Sequence, residues 1–434
     1  MDKMADVLGR AGAWCGQNKY LSAIKNAFQN FMPLTIAGAI GVLWCNVLVN
    51  DQTGLGLFFK PIMALDFLNP AFQAVNFCTI SCITVGITLG IAQEIGVWNM
   101  GAERAGYIPG LVGLAAWLSV TNTSHMVEGA KDAFTGISGN ELGATGLFTG
   151  MIIGVLSVEL FCFFEKQDAL KIKMPEQVPP GVARAFEVLV PATITLIITA
   201  CIGSACYNLT GLYLNDVIKN GVQGPLGAVG ATIPGVMIIY LVIMLFWLVG
   251  IHGNNMLSAV KEALFTPLAL ENVEKFNKGE KPTNIINMYA LQMWGEFGGS
   301  GVTIGLVIAI MIFGKREDNK AIASLSLVPG LFNINETVTF GIPMVLNPIL
   351  GIPFVFACLV TILVGYVLTV IGFCPVACLT VPWTTPPIVF GFLATGANIM
   401  GAVTQAILIV VSTVIYTPFL ISYEKYQNKQ AAEA

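Results

Sequence analysis

Long apolar stretches, each bounded by a few charged or polar residues, dominate the chain from residue 31 onward. A spanning helix needs about 20 apolar residues. Stretches of about that length lie at 31–50, 73–92, 105–121, 146–164, 188–207 and 236–251. Glycine and proline recur inside them, at Pro33, Gly38 and Gly41 for example. Spanning helices tolerate this better than soluble ones, because neighbouring helices re-satisfy the freed backbone groups. From Thr337 to Tyr423 the chain runs 87 residues without Asp, Glu, Lys, Arg or His, which leaves room for at least two further spans.

The pattern changes in the second half. The segment 282–314 is flanked by basic residues at both ends yet is only about one long span in length, so a single crossing would put one flank outside. Its middle, Gly295-Glu296-Phe297-Gly298-Gly299-Ser300-Gly301, favours a broken or re-entrant segment over a continuous helix. The same holds for 327–348, which Pro329, Gly330, Gly341, Pro343 and Pro348 interrupt. Irregular backbone at membrane depth must be buried in protein or line a wet cavity. The chain therefore divides into a regular helical half, 1–225, and an irregular, site-forming half, 226–434. Residues 216–234 read as a surface helix or connector, and no internal repeat stands out.

Composition agrees with this reading. Residues of the apolar class make up 55% of the chain and charged residues only 11%, with a mean hydropathy of +0.76, whereas a soluble domain carries roughly a quarter charged residues. Lys and Arg favour the cytoplasmic side of short loops. With the N-terminus inside, the external loops hold Lys60, Lys131 and Lys219, and the other 18 of 21 basic residues fall inside, as does the C-terminus. The thin net charge of −4 carries no basic footprint for nucleic acid. The N-terminus shows no cleavable signal peptide. The ten Cys sit mostly singly in apolar stretches, and only His125 and His252 accompany them, so no metal site is expected. Neither a Walker A nor a Rossmann glycine pattern appears, and no cofactor is expected.

Against this apolar background, His252, Glu296 and Glu336 lie in glycine- or asparagine-rich surroundings of the second half. A charge at the centre of a spanning helix costs roughly 2.5–3.5 kcal/mol on insertion scales, so such residues face a partner or a wet path. The alternative for each is a helix-end position at the headgroups. Near them in sequence are Asn254, Asn255, Asn333, Asn335 and Thr384, with Trp247, Trp294 and Trp383. Amides and hydroxyls of this kind suit the hydroxyls of a sugar, and indole rings suit its C–H faces. Packing or an interfacial belt is the competing role for the tryptophans.

The run Leu327-Val328-Pro329-Gly330-Leu331-Phe332-Asn333-Ile334-Asn335-Glu336, followed by Phe340-Gly341-Ile342-Pro343-Met344-Val345-Leu346-Asn347-Pro348, resembles the membrane subunit, enzyme IIC, of bacterial sugar phosphotransferase systems of the lactose/cellobiose/diacetylchitobiose family. The resemblance extends to Trp247-Leu248-Val249-Gly250-Ile251-His252-Gly253 and to Asn26-Ala27-Phe28 running into Met32-Pro33-Leu34-Thr35-Ile36-Ala37-Gly38. It implies an all-α polytopic protein of the bacterial cytoplasmic membrane with about ten transmembrane helices and two re-entrant hairpins in the C-terminal half. It also implies a homodimer whose first half supplies the interface.

The family's binding His and Glu carry over to His252 and Glu336, which the resemblance places at the reacting end of the sugar, and a hydrogen-bonding Glu carries over to Glu296. Trp247, Asn254, Asn335 and Trp383 complete the expected sugar-binding set. Where family members often have Pro after the motif Glu, this chain has Thr337. The implied activity is translocation of a β-linked disaccharide, cellobiose or diacetylchitobiose ahead of lactose. The sugar's 6-hydroxyl is presented to a phosphocysteine on a separate IIB protein, with IIA upstream. A proton-coupled secondary sugar transporter using Glu336, Glu296 and His252 as a relay is the competing class. A purely structural or receptor membrane protein would give those residues no task.

Overall fold

A computed structural model of the chain describes residues 10, 13, 14, 17–51, 55–125, 134–175, 177–225, 230–342, 344, 345 and 347–433. Lys131, Pro343 and Leu346, used above for orientation and for the motif, and Lys3, one of the 18 basic residues counted as cytoplasmic, lie outside the described residues. Among the described residues the structure is helical almost throughout, and its strands are the two-residue pair Ser124–His125 and Phe134–Thr135.

The longer first-half helices are α1 (Lys19–Leu43, continued by the π-helical turn Trp44–Leu48), α2 (Ile83–Met100), α3 (Ile108–Val120), α4 (Ala144–Glu165) and α5 (Pro180–Thr210). The second half holds α6 (Ile233–Leu248), α7 (Ser258–Asn277), α8 (Met288–Gly295), α9 (Ile304–Phe313), α10 (Glu317–Leu331), α11 (Glu336–Gly341), α12 (Gly351–Val370), α13 (Val389–Ala394) and α14 (Ile399–Glu433). Five of the described helices are long and apolar enough to cross a membrane, or seven spans if each bent helix pair counts as one. The helices α3 and α6 are shorter but apolar.

Several helices overrun the ends that bounding charges set in the sequence, and the reason is pairing. The helix α1 begins near Lys19, whose Nζ lies 2.6 Å from a Glu159 oxygen. The helix α2 continues past Glu94, which accepts a 2.8 Å hydrogen bond from the Asn26 side chain. The helix α5 starts at Pro180 and carries Arg184, which pairs at 3.0 Å with buried Glu165, itself 2.9 Å from Arg104 Nη2. A charge that is paired or hydrogen-bonded by another helix no longer has to mark a helix end.

The chain falls into two compact units, one holding Gly38–Val75 and Val229–Ala434, the other Gln17–Ala37 and Asn76–Ala228. In the second of these, α2, α3 and α4 pack on one another and α5 lies against α3 and α4. Ile87, Ile91 and Ile95 recur every fourth residue on the fully buried side of α2. Close approach is set by missing side chains: a Cβ on Gly113 would stand 2.3 Å from the Ala92 Cβ, and one on Gly150 2.2 Å from Thr88 Oγ1. Small residues at such contacts are what drives helix association where lipid removes the hydrophobic driving force.

In the other unit the segment 288–313 is broken, as its glycines lead one to expect: α8 and α9 meet at a 59° bend. Likewise α10 stops at Leu331 and a turn through Asn333 leads into α11. A third irregular stretch, 374–388, follows α12 without regular structure before α13. It lies within the uncharged run 337–423, where apolar length alone does not separate it from a span. The run Pro382-Trp383-Thr384-Thr385-Pro386-Pro387 is the signal that marks it, since proline withholds a donor and disfavours helix in the residue before it.

The long helix α14 is the spine on which these breaks hang. Ser412 Oγ donates to the Val302 carbonyl at 2.8 Å and Tyr416 OH to the Gly301 carbonyl at 2.8 Å. Gln405 Oε1 accepts from the backbone N–H groups of Ile388 and Gly391, both at 2.7 Å. Val302 and Ile388 are non-glycine residues with positive φ, 49° and 75°, a conformation that costs about 1–3 kcal/mol and persists only where its surroundings impose it. Here buried polar side chains of α14 do so.

Candidate functional site

The site assembles where four pieces of one unit approach: the loop after α6, helix α7, the α8–α9 break and the α10–α11 turn. His252 caps the single helical turn Gly253–Met256, and its Nδ1 accepts from the Asn255 N–H at 3.3 Å. That bond fixes the tautomer: Nδ1 is the acceptor, so Nε2 carries the proton. Burial lowers the pKa of the imidazole from its ordinary value, with the Glu336 carboxylate pulling the other way. Trp247 is buried, and its ring lies 4.4 Å from the His252 ring, holding the imidazole plane.

Glu336, the first residue of α11, faces that imidazole. His252 Nε2 and Glu336 Oε1 are 3.9 Å apart, and the two side chains are 38% and 47% exposed. The separation is too long for a direct hydrogen bond, but one hydroxyl oxygen fits between them at bonding distance from each. The pair is open to a guest, and it presents a donor and an acceptor side by side.

Glu296 sits just after α8, and its Oε1 accepts from Tyr240 OH at 2.8 Å and pairs with the Lys261 ammonium. Lys261 is the residue that sequence reasoning missed. One of the 18 basic residues that orientation alone assigns to the cytoplasmic side, it lies on α7, buried at 6% exposure. The signal was present: Lys261, Phe265, Ala269 and Val273 recur every fourth residue, and all are buried. Lys261 Nζ also donates to Asn254 Oδ1 at 3.3 Å, while Asn254 Nδ2 donates to Ser300 Oγ at 2.8 Å. The amide of Asn254 is thus engaged with the protein at both ends.

The other sequence-predicted residues divide in the same way. Asn335 is buried and its Nδ2 donates to the Ser300 carbonyl at 2.7 Å. Asn333, in the left-handed region with φ 63°, accepts from the Gly298 N–H at 2.6 Å and donates to the carbonyls of Trp383 and, at 3.1 Å, Thr385. One amide therefore ties three irregular segments together. Asn is among the few residues that adopt this backbone conformation readily. Gly299, with φ 86°, is needed beside it, since a Cβ there would stand 2.5 Å from Asn335 Cγ. Trp383 remains 44% exposed, an open indole face on a loop held by Asn333, whereas Trp294 is packed away against Gly365. The structure thus brings His252, Glu336, Glu296, Trp247, Asn254 and Asn335 into one connected set and leaves Trp383 joined to it through its backbone. Among the described residues no three His, Cys, Asp or Glu side chains converge on a point.

Comparison with known proteins bears on family and fold. The family model described as "Phosphotransferase system, EIIC" matches residues 25–358. The oligo-beta-mannoside-specific EIIC component of Bacillus subtilis is 33% identical over 429 residues, covering 98% of this chain and 94% of that protein. The cellobiose-specific EIIC component of Lactococcus lactis subsp. lactis is 29% identical over 486 residues, covering 98% of each. Among solved structures, the transporter ChbC, the IIC component from the N,N'-diacetylchitobiose-specific phosphotransferase system, superposes with a TM-score of 0.88 at 29% identity over 97% of both chains.

Proposed function

The chain belongs to the phosphotransferase system EIIC family, and from that premise we propose that it carries a β-linked disaccharide across the bacterial membrane and presents its 6-hydroxyl to a phosphorylated IIB protein. The observation that carries the reading is the open His252–Glu336 pair with its 3.9 Å gap. Nε2–H of His252 donates to the hydroxyl oxygen, and the hydroxyl proton points at Glu336 Oε1. That orients a lone pair of the same oxygen toward the incoming phosphorus. As the O–P bond forms and the S–P bond of the phosphocysteine breaks, the thiolate leaves and the hydroxyl proton passes to Glu336. Phosphoryl transfer needs alignment more than a strong base, so Glu336 acts as orienter first and acceptor second.

The β-linked class is supported by the sugars named for the relatives, oligo-β-mannoside, cellobiose and diacetylchitobiose. Every residue of the proposed sugar site lies in 226–434, which leaves 1–225 as the half we assign to a homodimer interface. Both termini are assigned to the cytoplasm on the distribution of basic residues. The test is calorimetric titration of the purified protein with cellobiose, diacetylchitobiose, lactose and the α-linked control maltose. Binding of at least one β-linked sugar and not of maltose is expected. Maltose binding, or no binding by any of the four, overturns the reading.

A further inference from the structure

We infer that Lys261 is a positioning residue for substrate: it fixes the Glu296 carboxylate so that one oxygen is held by protein and the other is left to a sugar hydroxyl. This rests on the sugar-site reading above and assigns a role to a residue outside the expected set.

Lys261 and Tyr240 both bond Glu296 through Oε1. Among the described residues Oε2 has no hydrogen-bond partner, and the Glu296 side chain keeps 18% exposure against 7% for Lys261. The two oxygens of one carboxylate are thereby differentiated, Oε1 facing the buried cation and phenol, Oε2 free to accept. A buried ammonium without this partner is costly, as is the carboxylate without the ammonium, so each holds the other in place. The same Nζ bonds Asn254, whose amide continues to Ser300, and Ser300 is also bonded through its carbonyl by Asn335, the residue before Glu336. The ammonium therefore sits at the head of a chain of hydrogen bonds that spans α7, the His252 loop, the α8–α9 break and the α10–α11 turn. Tyr240, whose ring lies 5.6 Å from Nζ, closes the far side.

The experiment compares wild type, Lys261→Met and the double variant Lys261→Met/Glu296→Gln in the full-length chain. It reads KM and kcat for phosphorylation of the disaccharide the wild type binds, with phosphorylated IIB, together with thermal stability in detergent. Methionine keeps the length of the side chain and removes the charge. Loss of a hydrogen bond between sugar and a correctly aimed carboxylate is expected to raise KM roughly tenfold or more in Lys261→Met, with a much smaller fall in kcat. The double variant leaves no unpaired buried charge, so its stability is expected to recover while KM stays raised. It also keeps the test valid if the single variant does not fold. The inference is overturned if the double variant regains the wild-type KM, which would make Lys261 a charge compensator alone, or if KM and kcat change together in proportion to lost stability. A wild-type protein that binds none of the β-linked sugars would instead fail the functional reading, before any variant is compared.

Discussion

Replacing Asn333 separates two roles, the sugar ligand that its sequence context suggests and the clip between loops that its hydrogen bonds describe. In the structure its amide makes three hydrogen bonds to backbone, from Gly298 N–H and to the carbonyls of Trp383 and Thr385. At a net of about 1 kcal/mol each, and with roughly 1 kcal/mol more for forcing a side chain with a β-carbon but no compensating bonds into φ 63°, Asn333→Ala should cost about 3–4 kcal/mol of stability. Asn333→Gly avoids the backbone strain and should lose about 1 kcal/mol less. Asn333→Asp retains the acceptor for Gly298 but turns a carboxylate toward two carbonyl oxygens, so it should be no better than alanine. The assay is thermal unfolding in detergent without sugar, followed by calorimetric binding. The expected order of stability is Asn, Gly, Ala, with Asp level with Ala or below it. Sugar-free stability of the Asp variant equal to wild type would refute the clip and leave Asn333 to the sugar.

Three further outcomes follow from the same geometry. Glu336→Gln should fold as the wild type does, bind sugar more weakly and lose nearly all phosphorylation, measured as sugar phosphate formed with phosphorylated IIB, since a neutral amide is a weaker acceptor that no longer fixes the hydroxyl and cannot take its proton. Gly299→Ala places a Cβ 2.5 Å from Asn335 Cγ and should cost about 1–3 kcal/mol, read as lower thermal stability together with weaker sugar binding. Glu424, buried on α14, accepts from Lys315 N–H at 2.8 Å, Arg316 N–H at 3.3 Å and Asn319 Nδ2 at 3.1 Å; Glu424→Ala should cost about 2–4 kcal/mol, with Glu424→Gln between it and wild type in a detergent melt.

The membrane class, the helical fold and the break at 295–301 could be read from sequence because each has a direct one-dimensional signature: apolar length, scarcity of charge and clustered glycine. Helix ends were less legible. Apolar length ends the spans short of Glu94 and Arg184, which lie inside helices, and of Lys19, which opens one, because their partners Asn26, Glu165 and Glu159 are distant in the chain. The candidate residues were found by asking which polar groups are out of place, and that question does not say whether such a group faces a ligand or the protein. His252 and Glu336 face an opening, whereas Asn254, Asn333 and Asn335 are occupied in holding broken backbone together. Lys261 was hidden by its neighbours: a lysine next to Glu262 looks like loop surface until the stripe through Phe265, Ala269 and Val273 is traced.

The most direct test of the account is uptake into right-side-out vesicles containing this protein, with and without phosphorylated IIB sealed inside, on the cytoplasmic face. The account predicts that labelled β-linked disaccharide accumulates as sugar 6-phosphate only when phosphorylated IIB is present, and that an imposed pH gradient alone drives no accumulation. Accumulation of unmodified sugar under a pH gradient without IIB would contradict it and would place Glu336, Glu296 and His252 in a proton relay instead.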